Sequence, residues 1–146
     1  MALNPERRYM VNLALKLIGT PYVWGGSSPA GGLDCSGFAI WILQVFDRLP
    51  SAGDWAASGL SKLFKESVMP EMGNLIFYGA GREHITHVMM SMGENSEFGT
   101  MVIGASGGDS TTTSVDEAKK RGAQVKVKPM DYRRDRVLVV DTFDPV

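Results

Sequence analysis

Cysteine is nearly missing from this chain: one residue, Cys35, stands among 146. One thiol cannot close an internal disulfide, so a disulfide-stapled scaffold is excluded. Histidine is almost as scarce, with only His84 and His87. Together with Cys35 they form no familiar zinc spacing, which predicts no metal and leaves no cofactor implied. An excess of charge of either sign is also missing. The 15 Lys and Arg against 16 Asp and Glu leave a formal net charge of -1. That balance provides no electrostatic footprint for nucleic acid or for an anionic membrane. Long apolar runs are absent too. Leu13 to Ile18 is interrupted by Lys16 and is far too short to span a bilayer, so no membrane insertion is expected. The first residues, Met1-Ala-Leu-Asn-Pro-Glu-Arg-Arg, carry charge but no apolar core with a small-residue cleavage site, and they predict no export signal.

What remains is the composition of an ordinary globular domain, 44% hydrophobic and 21% charged, with one domain expected over residues 1–146. The spacing of Met10, Leu13, Ala14, Leu17 and Ile18 predicts a helix over 5–18, with Asn4 as cap and Pro5 in its first position. Residues 20–33 hold four glycines and two prolines and read as a loop. Asp34 then caps a second helix over 36–46, apolar nearly all round through Phe38, Trp41, Ile42, Leu43, Val45 and Phe46, and expected to be largely buried. A shorter third helix is expected over 54–65. From residue 74 the helical period disappears. Short runs at 75–78, 87–92, 101–105, 123–127 and 136–140 read as strands. Helices first and strands afterwards predict an α+β fold, with N-terminal helices packed on a C-terminal antiparallel sheet.

Cys35 admits two readings. A free cysteine is most often a small buried hydrophobe. Directly after a capping Asp34, however, its sulfur sits in the first helical turn, where unpaired N–H groups and the helix dipole favour an anion and could hold an oxyanion. Asp34 opposes that by repulsion unless its carboxylate is engaged with backbone. A nearby imidazole would complete a nucleophilic pair with a depressed thiol pKa. His87 begins a strand-like run and is held more rigidly than His84, which lies in a Gly/Arg/Glu-rich loop; as base, His87 is favoured. The cluster Arg133-Arg134-Asp135-Arg136 reads as solvated surface. Nine methionines, among them Met89, Met90 and Met92 on one strand, read as adaptable core filling.

Laid end to end, these segments resemble the NlpC/P60 family, papain-like cysteine peptidases that cut bacterial cell-wall peptides. The match runs through Gly19-Thr-Pro-Tyr-Val-Trp-Gly-Gly26 and Leu33-Asp-Cys-Ser-Gly-Phe38. It resumes at Met72-Gly-Asn-Leu-Ile-Phe-Tyr78, where Asn74 replaces the family's Asp. His87-Val-Met-Met-Ser-Met-Gly93 is similar to the family's His-Val-Gly-Ile-Tyr-hydrophobic-Gly strand. Residues 101–106 and 133–140 resemble its closing strands.

The resemblance implies a papain-like fold, Cys35 as nucleophile and His87 as base. It implies an acyl-enzyme on the way to hydrolysis of a peptidoglycan stem-peptide bond, between the γ-carboxyl of D-glutamate and a diamino acid. Tyr22, Asp34 and Ser36 correspond to residues that hold the substrate's amino end in some members; as plain structure they are a packed tyrosine, a helix cap and a helix-start serine. Trp24 is expected to pack the loop.

One position departs. The family places a His, Asn or Gln on the strand after the histidine to orient the imidazole, and here Gly104 stands there. Ser106 on the same face, Asp109, a backbone carbonyl or water could take over. Glu94 to Thr100 is an extra polar stretch that could narrow a cleft or contact a partner. The alternatives are an amidase or acyltransferase using the same pair, or a degenerate structural module of a phage tail or effector. Without an export signal, delivery to the wall by a phage particle, a secretion system or lysis is expected, with a larger phage-tail or secretion assembly as partner.

Overall fold

The computed structural model describes residues 4–146; the N-terminal reading at Met1 to Leu3 lies outside the described residues. The chain opens with helix α1, Pro5–Lys16, where Pro5 fits the first position and the Asn4 side chain accepts the Glu6 N–H. The glycine-rich loop contains a two-stranded ribbon absent from the sequence reading, β1 (Ser27–Ser28) and β2 (Gly32–Leu33). Helix α2 follows at Cys35–Val45, capped by Asp34 as expected.

Helix α3 is a single turn, Ala57–Leu60, followed by strand β3 at Phe64–Glu66. The expected helix over 54–65 is therefore corrected. No side chain caps its start, and Phe64 gains burial by joining the sheet edge rather than extending a helix. Strands β4 (Leu75–Gly79), β5 (Ile85–Asn95) and β6 (Gly99–Ser106) come next. The stretch 94–100 is the tip of the β5–β6 hairpin, closed by the Asn95 side chain on the N–H groups of Glu97 and Phe98.

Helix α4, Val115–Arg121, was not expected, although its signals are in the sequence. Ser114 caps it through the Glu117 N–H, and Gly122 ends it at φ 64°. Strand β7 (Gln124–Pro129), a 3₁₀ turn at Met130–Tyr132 and strand β8 (Arg136–Pro145) complete the chain.

The main sheet has six strands in the order β3-β8-β4-β5-β6-β7, every neighbouring pair antiparallel. This is the α+β arrangement read from the element order. Strand alternation gives the sheet two apolar faces. Phe77, Val88, Met90, Ile103 and Ala105 pack with Phe38, Ile42 and Leu43 of α2 and Met10 and Ala14 of α1. On the opposite face, Ile76, Tyr78, Met89, Val102 and Val139 form a second cluster, covered by Met130 and Tyr132. The buried methionines of β5 thus fill both cores. Helix α2 is less enclosed than its composition suggests, since Val45 near its C-terminal end is exposed. Asn74, the family's Asp position, is fully buried: its amide donates to the Met69 carbonyl and its oxygen accepts from Arg7 at 2.7 Å. Among the described residues no helix is long and apolar enough to cross a membrane.

Candidate active site

One cleft of about 710 Å³ brings the sequence-selected residues together. Tyr22, Trp24, Asp34, Cys35, Ser36 and His87 all line it, joined by Trp55, Asp109 and Arg133. Its thiol wall is built by Asp34. One carboxylate oxygen accepts the Gly37 N–H at 2.7 Å and the Ser36 hydroxyl at 3.3 Å; the other accepts the Gly25 N–H at 2.9 Å. A single residue therefore caps α2 and ties the glycine loop to its first turn. The loop approaches so closely that a Cβ on Gly37 would stand 2.0 Å from the Gly26 carbonyl oxygen, so only glycine fits.

Helix α2 begins with Cys35, half-buried and unpaired. Its thiol is pushed up to about 11, first by burial and second by the Asp34 carboxylate. The N–H groups of Val88, Ser36 and Cys35 itself pull the other way without overcoming it. The depressed thiol expected from the helix start is thus corrected. Engaging Asp34 with backbone does not remove its charge, and the desolvation is larger than the dipole's help. Tyr22 is 4% exposed, and its hydroxyl is driven well above the ordinary phenol range by burial and by the nearby Cys35, Asp34 and Asp109. Its ring lies against Gly108, where a Cβ would come within 2.3 Å.

The histidine wall comes from the sheet. His87 opposes Tyr78 across the β4–β5 pair and is 7% exposed. Its imidazole is lowered to about 4, mainly by burial and then by the Arg133 cation, with Asp135 opposing. Nε2 of His87 stands 2.7 Å from the hydroxyl of Tyr132. The rings of Tyr78, His87 and Tyr132 form a cluster with centroids 5.7 to 6.4 Å apart.

The sequence reading missed Tyr132 because it lies 45 residues from His87 in a turn without periodicity. Strand β6 does continue to Ser106, which is buried, but the hydroxyl on the imidazole belongs to Tyr132. Asp109, also weighed, is engaged by Thr111 and Arg121.

Three further placements differ from expectation. Trp24 is 54% exposed along the cleft rather than packed under the loop. Arg133 reaches the cleft while pairing with Asp135 through two bonds of 2.9 and 2.6 Å, so it is not simply solvated surface. His84 lies in the turn between β4 and β5 and is not among the residues lining the cleft. No cluster of His, Cys, Asp and Glu suited to a metal ion occurs among the described residues.

The family model for NlpC/P60 matches residues 19–128. The chain belongs to the NlpC/P60 family. It is 34% identical over 87 residues to the probable peptidoglycan endopeptidase LytE of Bacillus subtilis, covering 60% of this chain and 25% of that protein. It is 35% identical over 88 residues to the bifunctional muramidase/DL-endopeptidase CwlT of the same organism, covering 58% and 26%. The chain thus spans about a quarter of the length of these relatives. Among solved structures, the NlpC/p60 domain of the peptidoglycan hydrolase SagA superposes with a TM-score of 0.64 at 29% identity, covering 95% of this chain and 99% of that one.

Proposed function

We propose that this NlpC/P60 domain is a cysteine peptidase that hydrolyses the stem-peptide bond between the γ-carboxyl of D-glutamate and a diamino acid. The observation that carries the reading is the convergence of Cys35, at the start of α2, and His87, near the start of β5, on one open cleft. The relative named a probable peptidoglycan endopeptidase supports the substrate class, and the one named a DL-endopeptidase supports a bond between residues of opposite chirality.

With the thiol pushed up and the imidazole lowered, the pair rests as thiol and neutral imidazole at neutral pH. The chemistry follows from that state. The Cys35 proton passes to Nδ1 of His87, the ring nitrogen that Tyr132 leaves open, as the sulfur attacks the γ-carbonyl carbon. The N–H groups at the start of α2 stabilise the oxyanion. The tetrahedral intermediate collapses, the C–N bond breaks, and the imidazolium returns the proton to the departing amine. Water then loses a proton to the imidazole, attacks the thioester and restores the thiol. Tyr22, Asp34 and Ser36 form the wall that meets the substrate's amino end, where the carboxylates of Asp34 and Asp109 favour a cation.

A structural module is the second reading, favoured by a thiol held protonated. Mass spectrometry of muropeptides digested by wild type, Cys35→Ala and His87→Ala separates the two. The expected result is scission between D-Glu and the diamino acid by wild type, with the rate falling at least about 10³-fold in either variant. Intact muropeptides with all three proteins would support the module, and cleavage at another amide would move the reading to a different bond.

A further inference from the structure

We propose that Tyr132 is the positioning residue for His87, doing from the 3₁₀ turn what Gly104 cannot do from β6. The inference rests on the Cys35–His87 reading above.

The position on β6 is crowded by a buried thioether. A Cβ built on Gly104 would stand 2.7 Å from the sulfur of Met89 and 3.6 Å from its Cα. Met89 is fully buried on the same face of β5 as His87, two residues along. Across the β5–β6 pair, Met89 carries the bulk and Gly104 the gap. The thioether fills the space, and the polar partner has to come from elsewhere.

Tyr132 supplies it and is held to do so. The Tyr78 hydroxyl donates to the Met130 carbonyl at 2.7 Å, fixing the turn that carries Tyr132. Tyr78 is itself fully buried, and its ring meets that of Tyr132 edge-on at 5.8 Å. Met130 and Tyr132 pack on the cluster that contains Met89. The residue that blocks the β6 position therefore belongs to the core that seats its replacement.

Proton counting assigns the direction of this bond. A neutral imidazole holds one hydrogen, and Nε2 faces Tyr132 at 2.7 Å. Taking the thiol proton requires a bare Nδ1, so the hydrogen must sit on Nε2 and the phenol oxygen must accept it. When Nδ1 is protonated during the reaction, the Nε2–H bond stays in place, so the ring need not rotate between steps.

The test reads the tautomer and the rate separately. With only two histidines and one of them away from the cleft, nitrogen-15 spectra of the wild type resolve His87. The expected spectrum shows its proton on Nε2 at neutral pH; a proton on Nδ1 would overturn the proposal, whether or not the protein cuts muropeptides. In Tyr132→Phe the Nδ1–H form should gain population. Its kcat on the stem peptide should drop about 10- to 100-fold with KM within about twofold, a smaller loss than for an orienting carboxylate because the phenol is neutral. Adding Met89→Gly and Gly104→His to Tyr132→Phe should recover part of that kcat, through a side chain returned to β6. A Tyr132→Phe enzyme within twofold of wild-type kcat, with an unchanged tautomer, would overturn it as well. If Tyr132→Phe fails to fold, the wild-type spectrum alone still decides.

Discussion

The two walls of the cleft were built in different ways. The thiol wall is local: the residues that place Cys35 lie between Gly25 and Gly37, and Asp34 alone holds the loop, caps the helix and sets the charge beside the sulfur. The histidine wall is assembled from β4, β5, β6 and the 3₁₀ turn, so the group touching the imidazole comes from 45 residues away. The local wall depends on Asp34 at each of its contacts. The assembled wall draws its members from several elements, any of which can supply the hydrogen bond on the imidazole. The pairing of Met89 with Gly104, and the arrival of Tyr132, illustrate that second case.

Breaking the assembled wall should give the larger effect. Gly104→His alone, a step toward the family's pattern, should fail here, because the new side chain enters a fully packed site against Met89. Overpacking of this kind costs about 1–3 kcal/mol or more, so the thermal midpoint should drop by several degrees and activity should fall rather than rise. Adding Met89→Gly should restore part of the midpoint if the clash is the cause; no recovery would mean the two positions are independent. Sharpening the local wall should give a smaller effect. Asp34→Asn keeps an oxygen for the Gly37 N–H but removes the charge that raises the thiol. Cys35 should then alkylate several-fold faster at pH 8 than in wild type, and an unchanged rate would mean that burial alone sets the thiol.

The same contrast explains what was legible in the sequence. Asn4 and Asp34 as caps, the apolar spacing of α1 and α2, and the five main strands from β4 to β8 are local signals, and each element formed where those signals lie. Cys35, His87, Tyr22, Asp34 and Ser36 were selected from short motifs and do share one cleft. What the sequence concealed was tertiary. Residues 61–65 lose their helical reading because Phe64 joins the sheet beside β8. Val45 carries an apolar side chain that the fold leaves in solvent. Tyr132 has no periodic context, and only the approach of the turn to β5 gives it a role. Helix α4 is a different kind of miss, because the Ser114–Glu117 cap and Gly122 were readable locally. The sign of the thiol shift was also inaccessible, since it depends on how deeply the first turn of α2 is covered.

The central claim is that His87, held neutral in the cleft wall, serves Cys35 as base. It is tested most directly by the pH dependence of kcat/KM on a stem peptide containing the γ-D-Glu–diamino acid bond, with Cys35→Ala as blank. Activity needs the unprotonated imidazole, so a pKa lowered to about 4 leaves the rate flat down through pH 6 and 5, with loss only on approach to that value. An acid limb centred near the ordinary histidine value of about 6.5, or cleavage that persists in Cys35→Ala, would contradict the account.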